Sequence, residues 1–260
     1  MRIIKFLSSN WLKIIAILSM VIDHIGFYFY DILTSEQFYI TRSIGRIAMP
    51  IFTFLIINGF FKKKNLKRYL IRLTKVACST QIAIWILAYI NIRYIPQYET
   101  NMYEILNIVF SFVLSLIFIN STNNIIIKKS TNLINIVKDI SVIITIPLIY
   151  TIFCINNIIS LDYGFMILIL STLFYLTFKI KEKSQTLYYI ILSLSYIIYT
   201  IISVILNPIY ITLLLALPLL LVYDDKIISK NLKLQKLFYS VFIIQHTLLY
   251  LSALIYTLAR

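Results

Sequence analysis

The chain alternates between long apolar runs and short polar breaks, and the runs have the length of a bilayer crossing. A helix of about 20 apolar residues spans a hydrocarbon core of about 30 Å. Such runs fall at 11–30, 43–61, 70–92, 102–120, 140–156, 162–180, 186–206, 208–223 and 236–258. The pattern predicts nine transmembrane helices, of which the fifth and eighth are short and carry Pro147 and Pro218. Ten-residue segments of alternating polarity, the mark of a β-barrel, are missing. The first run has no small-residue cleavage site and continues straight into Asp23-His24-Ile25-Gly26, so it is expected to be retained. The expected fold is all-α: a polytopic transmembrane helical bundle forming a single domain over 1–260, without linker or repeat.

Composition agrees with this pattern. The 260 residues are 60% hydrophobic, with a mean hydropathy of +0.89. A soluble domain cannot bury that much apolar surface, so lipid is the expected solvent. The net charge of +14 raises the question of nucleic acid. Its distribution answers no. With nine spans and the N-terminus in the cytoplasm, 20 of the 24 basic residues fall on the inner side. The exceptions are Arg42, Arg46, Arg93 and Arg260. The positive-inside rule therefore predicts a multi-pass protein of the cytoplasmic (inner) membrane, N-terminus in and C-terminus out. Cys78 and Cys154, in separate spans, read as buried packing residues rather than a disulfide.

Against this background the polar residues of the first two spans stand out. LKIIAILSMVIDHIGFYFY carries Asp23 and His24, and RSIGRIAMPIFTFLIINGF carries Arg42, Arg46, Pro50 and Asn58. Three of the four glycines, Gly26, Gly45 and Gly59, lie in the same window. Ionisable groups at a span centre cost about 2.5–3.5 kcal/mol each on insertion scales, so a functional role is the default expectation. On a helix His24 shares a face with Met20, Ile17 and Lys13, while Asp23 is turned by about 100° toward the Ser19, Ala16 and Leu12 side. Asp23 is thus set to meet a cation from the next helix, with Arg42 and Arg46 as candidates, rather than to orient His24. The competing reading makes Asp–Arg a packing clamp and His24 a satisfied interhelical bond. Pro50, read as interior to its helix, would leave the Arg46 carbonyl without a donor.

Other features carry weaker signals. Lys62, Lys63, Lys64, Lys67, Arg68 and Arg72 crowd into positions 62–72. They read as a topology signal that contacts anionic headgroups, or as a site for a phosphorylated cytoplasmic ligand. His246 lies mid-span beside Gln245, open to packing or function alike. Asp162 and Tyr163, followed by Gly164, open the sixth span on the outer side, where Asp also serves as a helix start signal. No Cys/His spacing for a metal, no nucleophile elbow and no glycine-rich phosphate loop is present.

LKIIAILSMVIDHIG, GRIAMPIFTFLIINGF and the basic loop leading to KRYLIRL together resemble the TraX family. Weaker similarities follow at LNIVFSFVLSL, DYGFMILIL, LLALPLLLVY and FYSVFIIQH. That family is named for a conjugative-pilus protein that acetylates the pilin N-terminus. It is similar to a wider set of polytopic acyltransferases that draw on cytoplasmic acetyl-CoA. The resemblance implies His24 as catalytic base with Asp23 beside it, Arg46 in the matching GR-A-P block, and Arg42 less securely. It also implies a late histidine at His246, and CoA phosphates held by Lys62, Lys63, Lys64, Arg68 and Arg72. The acceptor it implies is a pilin or peptide amine, or a surface glycan. Asn58, Asp162 and Tyr163 are carried as substrate-side or structural positions. An imidazole with a reference pKa near about 6.5 suits general-base work on such an acceptor. The alternatives are a proton-coupled transporter or flippase, and a non-catalytic membrane assembly or immunity protein.

Overall fold

The computed structural model of the chain describes residues 6–94, 105–126, 132–155, 160–224 and 232–258. Among them are eight helices, one of them interrupted, that are long and apolar enough to cross a membrane. They are α1 (Ser9–Tyr28); α2 (Ser35–Gly45) with α3 (Ala48–Lys62), which form one crossing; α4 (Leu66–Tyr94); and α5 (Ile108–Ile126). Then come α6 (Leu133–Ile155), α7 (Gly164–Lys181), α8 (Gln185–Leu206) and, last, α10 (Leu232–Leu258). Before α10 lies a shorter apolar segment, a 3₁₀ helix (Pro208–Leu215) continued by α9 (Ala216–Leu221). Among the described residues, strand structure is a single two-residue parallel pairing, β1 (Ile105–Leu106) with β2 (Ser160–Leu161), and one isolated bridge. Large apolar side chains point outward along whole helix faces, as Ile198, Ile201, Ile202 and Ile205 do on α8. An apolar surface of that extent suits hydrocarbon rather than water. The protein is an all-α polytopic membrane bundle.

Several boundaries differ from the hydropathy reading. The fourth helix starts at Ile108 rather than 102, because Ile105 and Leu106 are drawn into pairing with Ser160 and Leu161. The fifth begins at Leu133, earlier than 140, taking Lys138 and Asp139 into its first turns. Pro147 stays inside that helix without ending it. Cys78 is exposed on α4, not buried, while the Cys154 side chain lies outside the described residues. The expected eighth span is the 3₁₀–α9 segment, 8 residues followed by 6. A 3₁₀ helix rises about 2.0 Å per residue against about 1.5 Å for α, so the segment reaches about 25 Å despite its shortness.

Contacts divide the chain into two compact units: Met1–Ile56 with Leu176–Arg260, and Ile57–Tyr175. In the first, Ser8 caps α1 by accepting from the Trp11 N–H. Thr34 and Gln37 form a reciprocal capping box that starts α2, a T-x-x-Q signal present in the sequence. α1 and α2 fold back on each other as an antiparallel hairpin, with Gly26 against Thr41 and Asp23 against Gly45. α10 runs parallel to α1: Lys13 meets Phe238, His24 meets His246, and Tyr28 meets Tyr250. The 3₁₀–α9 segment runs the opposite way. Its start touches α2, where Thr212 donates to the Ser43 carbonyl at 2.6 Å. Just past its end, Tyr223 bridges to Leu7 ahead of α1. The start of α1, the end of α9 and the start of α10 therefore share one end of this unit.

The second unit is held by polar bonds between helix ends. The Asn107 amide and side chain donate to the Gln81 side-chain oxygen at 2.8 and 3.0 Å, and Asn107 Nδ2 also donates to the Ala77 carbonyl. Gln81 donates to the Ile105 carbonyl, tying α4 to β1. Ile146, Tyr150, Leu161 and Leu168 make a small core beside them.

Candidate functional site

The two faces of α1 meet different partners. Its Ser19–Asp23 face packs on α2, and its His24–Tyr28 face packs on α10. Asp23, only 8% exposed, receives two guanidinium groups on one carboxylate oxygen. Arg46 Nη2 lies 2.8 Å from Oδ1 and Arg42 Nη1 lies 3.0 Å from it. Arg42 also donates to the Asp23 main-chain carbonyl at 3.3 Å. This is the ion pairing expected from the helical spacing, and it joins both arginines to the carboxylate. Glycine makes the approach possible. A Cβ on Gly45 would run into the Asp23 side chain, and one on Gly26 into Thr41.

Arg46 occupies a break rather than a helix interior. α2 stops at Gly45 and α3 restarts at Ala48, with Arg46 as the C-cap of α2. Pro50 consequently falls in the first turn of α3, where its missing N–H is an orphan in any helix. That corrects the expectation of a proline buried mid-helix. The last four carbonyls of α2 all find donors. Arg46 Nε bonds the Arg42 carbonyl, Thr212 the Ser43 carbonyl, and Ser19 the Ile44 and Gly45 carbonyls. Backbone freed inside a membrane must be satisfied in this way. The Arg46 guanidinium also faces the Tyr210 ring at 6.0 Å, and that of Arg42 the Phe27 ring at 5.7 Å.

On the other face the two histidines of the chain come together. The His24 and His246 rings lie 4.4 Å apart between centroids, tilted by 40°. The Tyr28 hydroxyl and His246 Nδ1 are 2.8 Å apart. A donating phenol goes with the His246 ring proton on Nε2 and an accepting one with the proton on Nδ1, so this bond couples Tyr28 to the His246 tautomer. Tyr28 is itself buried and packs edge-on to Tyr250. α1 and α10 thus present the same stripe, His-x-x-x-Tyr, at 24/28 and 246/250. Gln245 lies beside His24 and interacts with its ring, short of a well-aligned hydrogen bond. His24 Nδ1, both amide atoms of Gln245 and the Tyr250 hydroxyl are buried with no hydrogen-bond partner.

Tyr28, Gln245 and Tyr250 were not singled out as site residues from the sequence. Tyr28 and Tyr250 carried a legible signal, the repeated spacing of four from a histidine. Nothing local marked Gln245 beyond its polarity. The remaining candidates lie in the second unit. Asn58 is buried in α3. Lys62, Lys64, Arg68 and Arg72 are exposed at the α3–α4 connection, and Lys63 lies over the Phe60 ring. Asn65 caps α4 by accepting from the Arg68 N–H. Asp162 and Tyr163 form the turn into α7, where Tyr163 and Gly164 have φ of 59° and 42°. The Asp162 N–H donates to the Leu106 carbonyl, and its carbonyl accepts from Ser111.

A family model described as "TraX protein" matches residues 8–252. The chain belongs to the TraX family. The match takes in both histidines, Asp23 and both arginines of this TraX-family membrane protein. It is similar to "Uncharacterized protein RP591" of Rickettsia prowazekii (strain Madrid E), 47% identical over 55 residues, 21% of this chain and 20% of that protein. It is also similar to "Probable fimbrial assembly protein FimC, serogroup H1" of Dichelobacter nodosus, 36% identical over 66 residues, 25% of this chain and 27% of that protein. The similarity spans about a fifth to a quarter of the length of these curated relatives. No solved structure matches.

Proposed function

We propose that this TraX-family protein is a membrane-embedded acetyltransferase that moves an acetyl group from cytoplasmic acetyl-CoA to an amine or hydroxyl at or beyond the membrane. The observation that carries this reading is the close His24–His246 pair, tied to Tyr28, with His24 on the helix that also carries Asp23 and its two arginines. Ionisable groups inside a span are expensive and mark function by default. An acyl transfer has a use for them. As the acceptor attacks the thioester carbonyl, His24 takes its proton, the C–S bond breaks, and the thiolate leaves to be protonated. General-base help of this kind is typically worth about 10²–10⁴-fold. Arg46 is the cation best suited to the negative charge that grows on the carbonyl oxygen. Lys62, Lys63, Lys64, Arg68 and Arg72 are the proposed contacts for the CoA phosphates, and the acceptor is a pilin or peptide amine or a surface glycan. The relative named for fimbrial assembly favours the first of these.

The orientation proposed is N-terminus inside and C-terminus outside the cytoplasmic membrane. The parallel run of α1 and α10 supports it, since the end of α10 then lies opposite the start of α1. The deciding experiment incubates purified protein with radiolabelled acetyl-CoA. Wild type is expected to hydrolyse it or label an acceptor, and His24→Ala to lose at least 10²-fold of that rate while still inserting and folding. Transfer by His24→Ala at the wild-type rate removes the base assignment.

A further inference from the structure

Four buried polar atoms between α1 and α10 lack a well-formed hydrogen bond: His24 Nδ1, Gln245 Oε1, Gln245 Nε2 and Tyr250 Oη, with Gln245 close enough to His24 to interact with it. They are not spread over the unit. Gln245 immediately precedes His246, whose ring lies 4.4 Å from that of His24, and Tyr250 follows one turn later against Tyr28. Gln245 is 5% exposed and Tyr250 1%. In hydrocarbon no water compensates, and each unpaired polar group costs several kcal/mol. Rotating the Gln245 amide toward His24 pairs one of its ends only. The other end and the Tyr250 hydroxyl stay unsatisfied. A single trapped water needs two to four polar partners and would satisfy this set, but so would a ligand group with matched chemistry.

We infer that Gln245, with Tyr250, reads an amide group of a bound substrate beside the histidine pair. A primary amide offers one acceptor and two donors on one rigid plane, and its natural complement is another amide, which returns a carbonyl and an N–H at the same spacing. A site built to hydrogen-bond a group discriminates strongly against analogues that lack it, because its own polar atoms are then left bare. Two sources supply that chemistry in the reading above, on which this inference rests: the pantetheine arm of the donor and the backbone of a peptide acceptor. Gln245 is a binding residue in this assignment and takes no part in proton transfer.

The test measures binding rather than turnover, using the full chain in lipid nanodiscs. Pantetheine and N-acetyl-alanine methylamide are titrated separately by calorimetry into wild type, Gln245→Leu and Tyr250→Phe. One of the two probes is expected to bind wild type saturably, and to bind Gln245→Leu at least tenfold more weakly. Tyr250→Phe, which removes one hydroxyl and keeps the shape, is expected to weaken the same probe several-fold and guards against a misfolded leucine variant. Binding of pantetheine assigns the amide to the donor, and binding of the blocked dipeptide assigns it to the acceptor. Equal affinity in wild type and both variants overturns the inference. So does binding of neither probe together with a more thermostable Gln245→Leu, which would mark a water site or an unfilled pair. A wild type that binds an amide but transfers no acetyl group refutes the enzymatic reading and leaves this one standing.

Discussion

The buried polar residues around Asn107 and those around His24 answer the same problem in opposite ways. In the second unit Gln81, Asn107, Ser111 and Tyr150 spend their hydrogen bonds on backbone carbonyls and on one another. Tyr175 likewise donates to Asn123 at 2.7 Å, and Asn124 to Asp139 at 3.4 Å. The buried side-chain atoms without a well-formed hydrogen bond among the described residues of that unit are two hydroxyls, of Thr80 and of Ser115, the latter beside Tyr150. These groups act as interhelical glue, worth about 0.6 kcal/mol on average per bond in a membrane. On the α2 side of the first unit polarity is charged and fully engaged. On the α10 side it includes two imidazoles and an amide with buried atoms left over. Glue satisfies itself; a site keeps something back. The contrast sets the α10 face of α1 apart from the self-satisfied bonds elsewhere.

Four substitutions press on that contrast, in order of expected effect. Asp23→Ala is the harshest, since it strands the buried guanidinium of Arg46 and the partly buried one of Arg42. A loss of about 3–5 kcal/mol is expected, read as an early thermal transition in detergent. A transition within about 1 kcal/mol of wild type would show the arginines to be satisfied by other groups. Gly45→Ala drives a methyl into the Asp23 side chain, and overpacking of that kind costs about 1–3 kcal/mol. Its transfer rate should fall with stability, because the α1–α2 hairpin must splay.

Asn107→Ala supplies the control from the other unit. Removing it leaves Gln81 and the Ala77 carbonyl without a partner, for an expected loss of about 1–3 kcal/mol. Acetyl transfer per folded molecule should not change. A selective loss of turnover in this variant would erase the division between glue and site. The mildest change is Tyr28→Phe, which deletes one hydroxyl and costs about 0.5–1.5 kcal/mol of stability. Its diagnostic readout is spectroscopic: the His246 ring nitrogens, followed by ¹⁵N NMR, should lose the single-tautomer pattern. An unchanged pattern would assign tautomer choice to another neighbour.

Much of this was open to inspection in the chain itself. The apolar runs predicted an all-helical membrane bundle, since only that pattern hides backbone polarity from lipid. Helical spacing alone turned Asp23 away from His24 and aimed it at Arg42 and Arg46. Boundaries read less well where a non-helical contact intervened, as when Ile105 and Leu106 paired with Ser160 and Leu161 and delayed α5. The span over 43–61 looked continuous because hydropathy registers composition, and composition does not reveal that Arg46 ends one helix before Pro50 begins another.

The sequence by itself determined the solvent, the helical class and which faces of α1 differ, because all three follow from residue type and a fixed helical period. Only tertiary structure decided that His246 meets His24, that Tyr28 holds its ring across 218 positions of chain, and that Gln245 lies beside them with its amide incompletely satisfied. No local rule links residues so far apart. Their meeting is set by how α10 packs along α1, a sum of many side-chain contacts that has no signature at any one position.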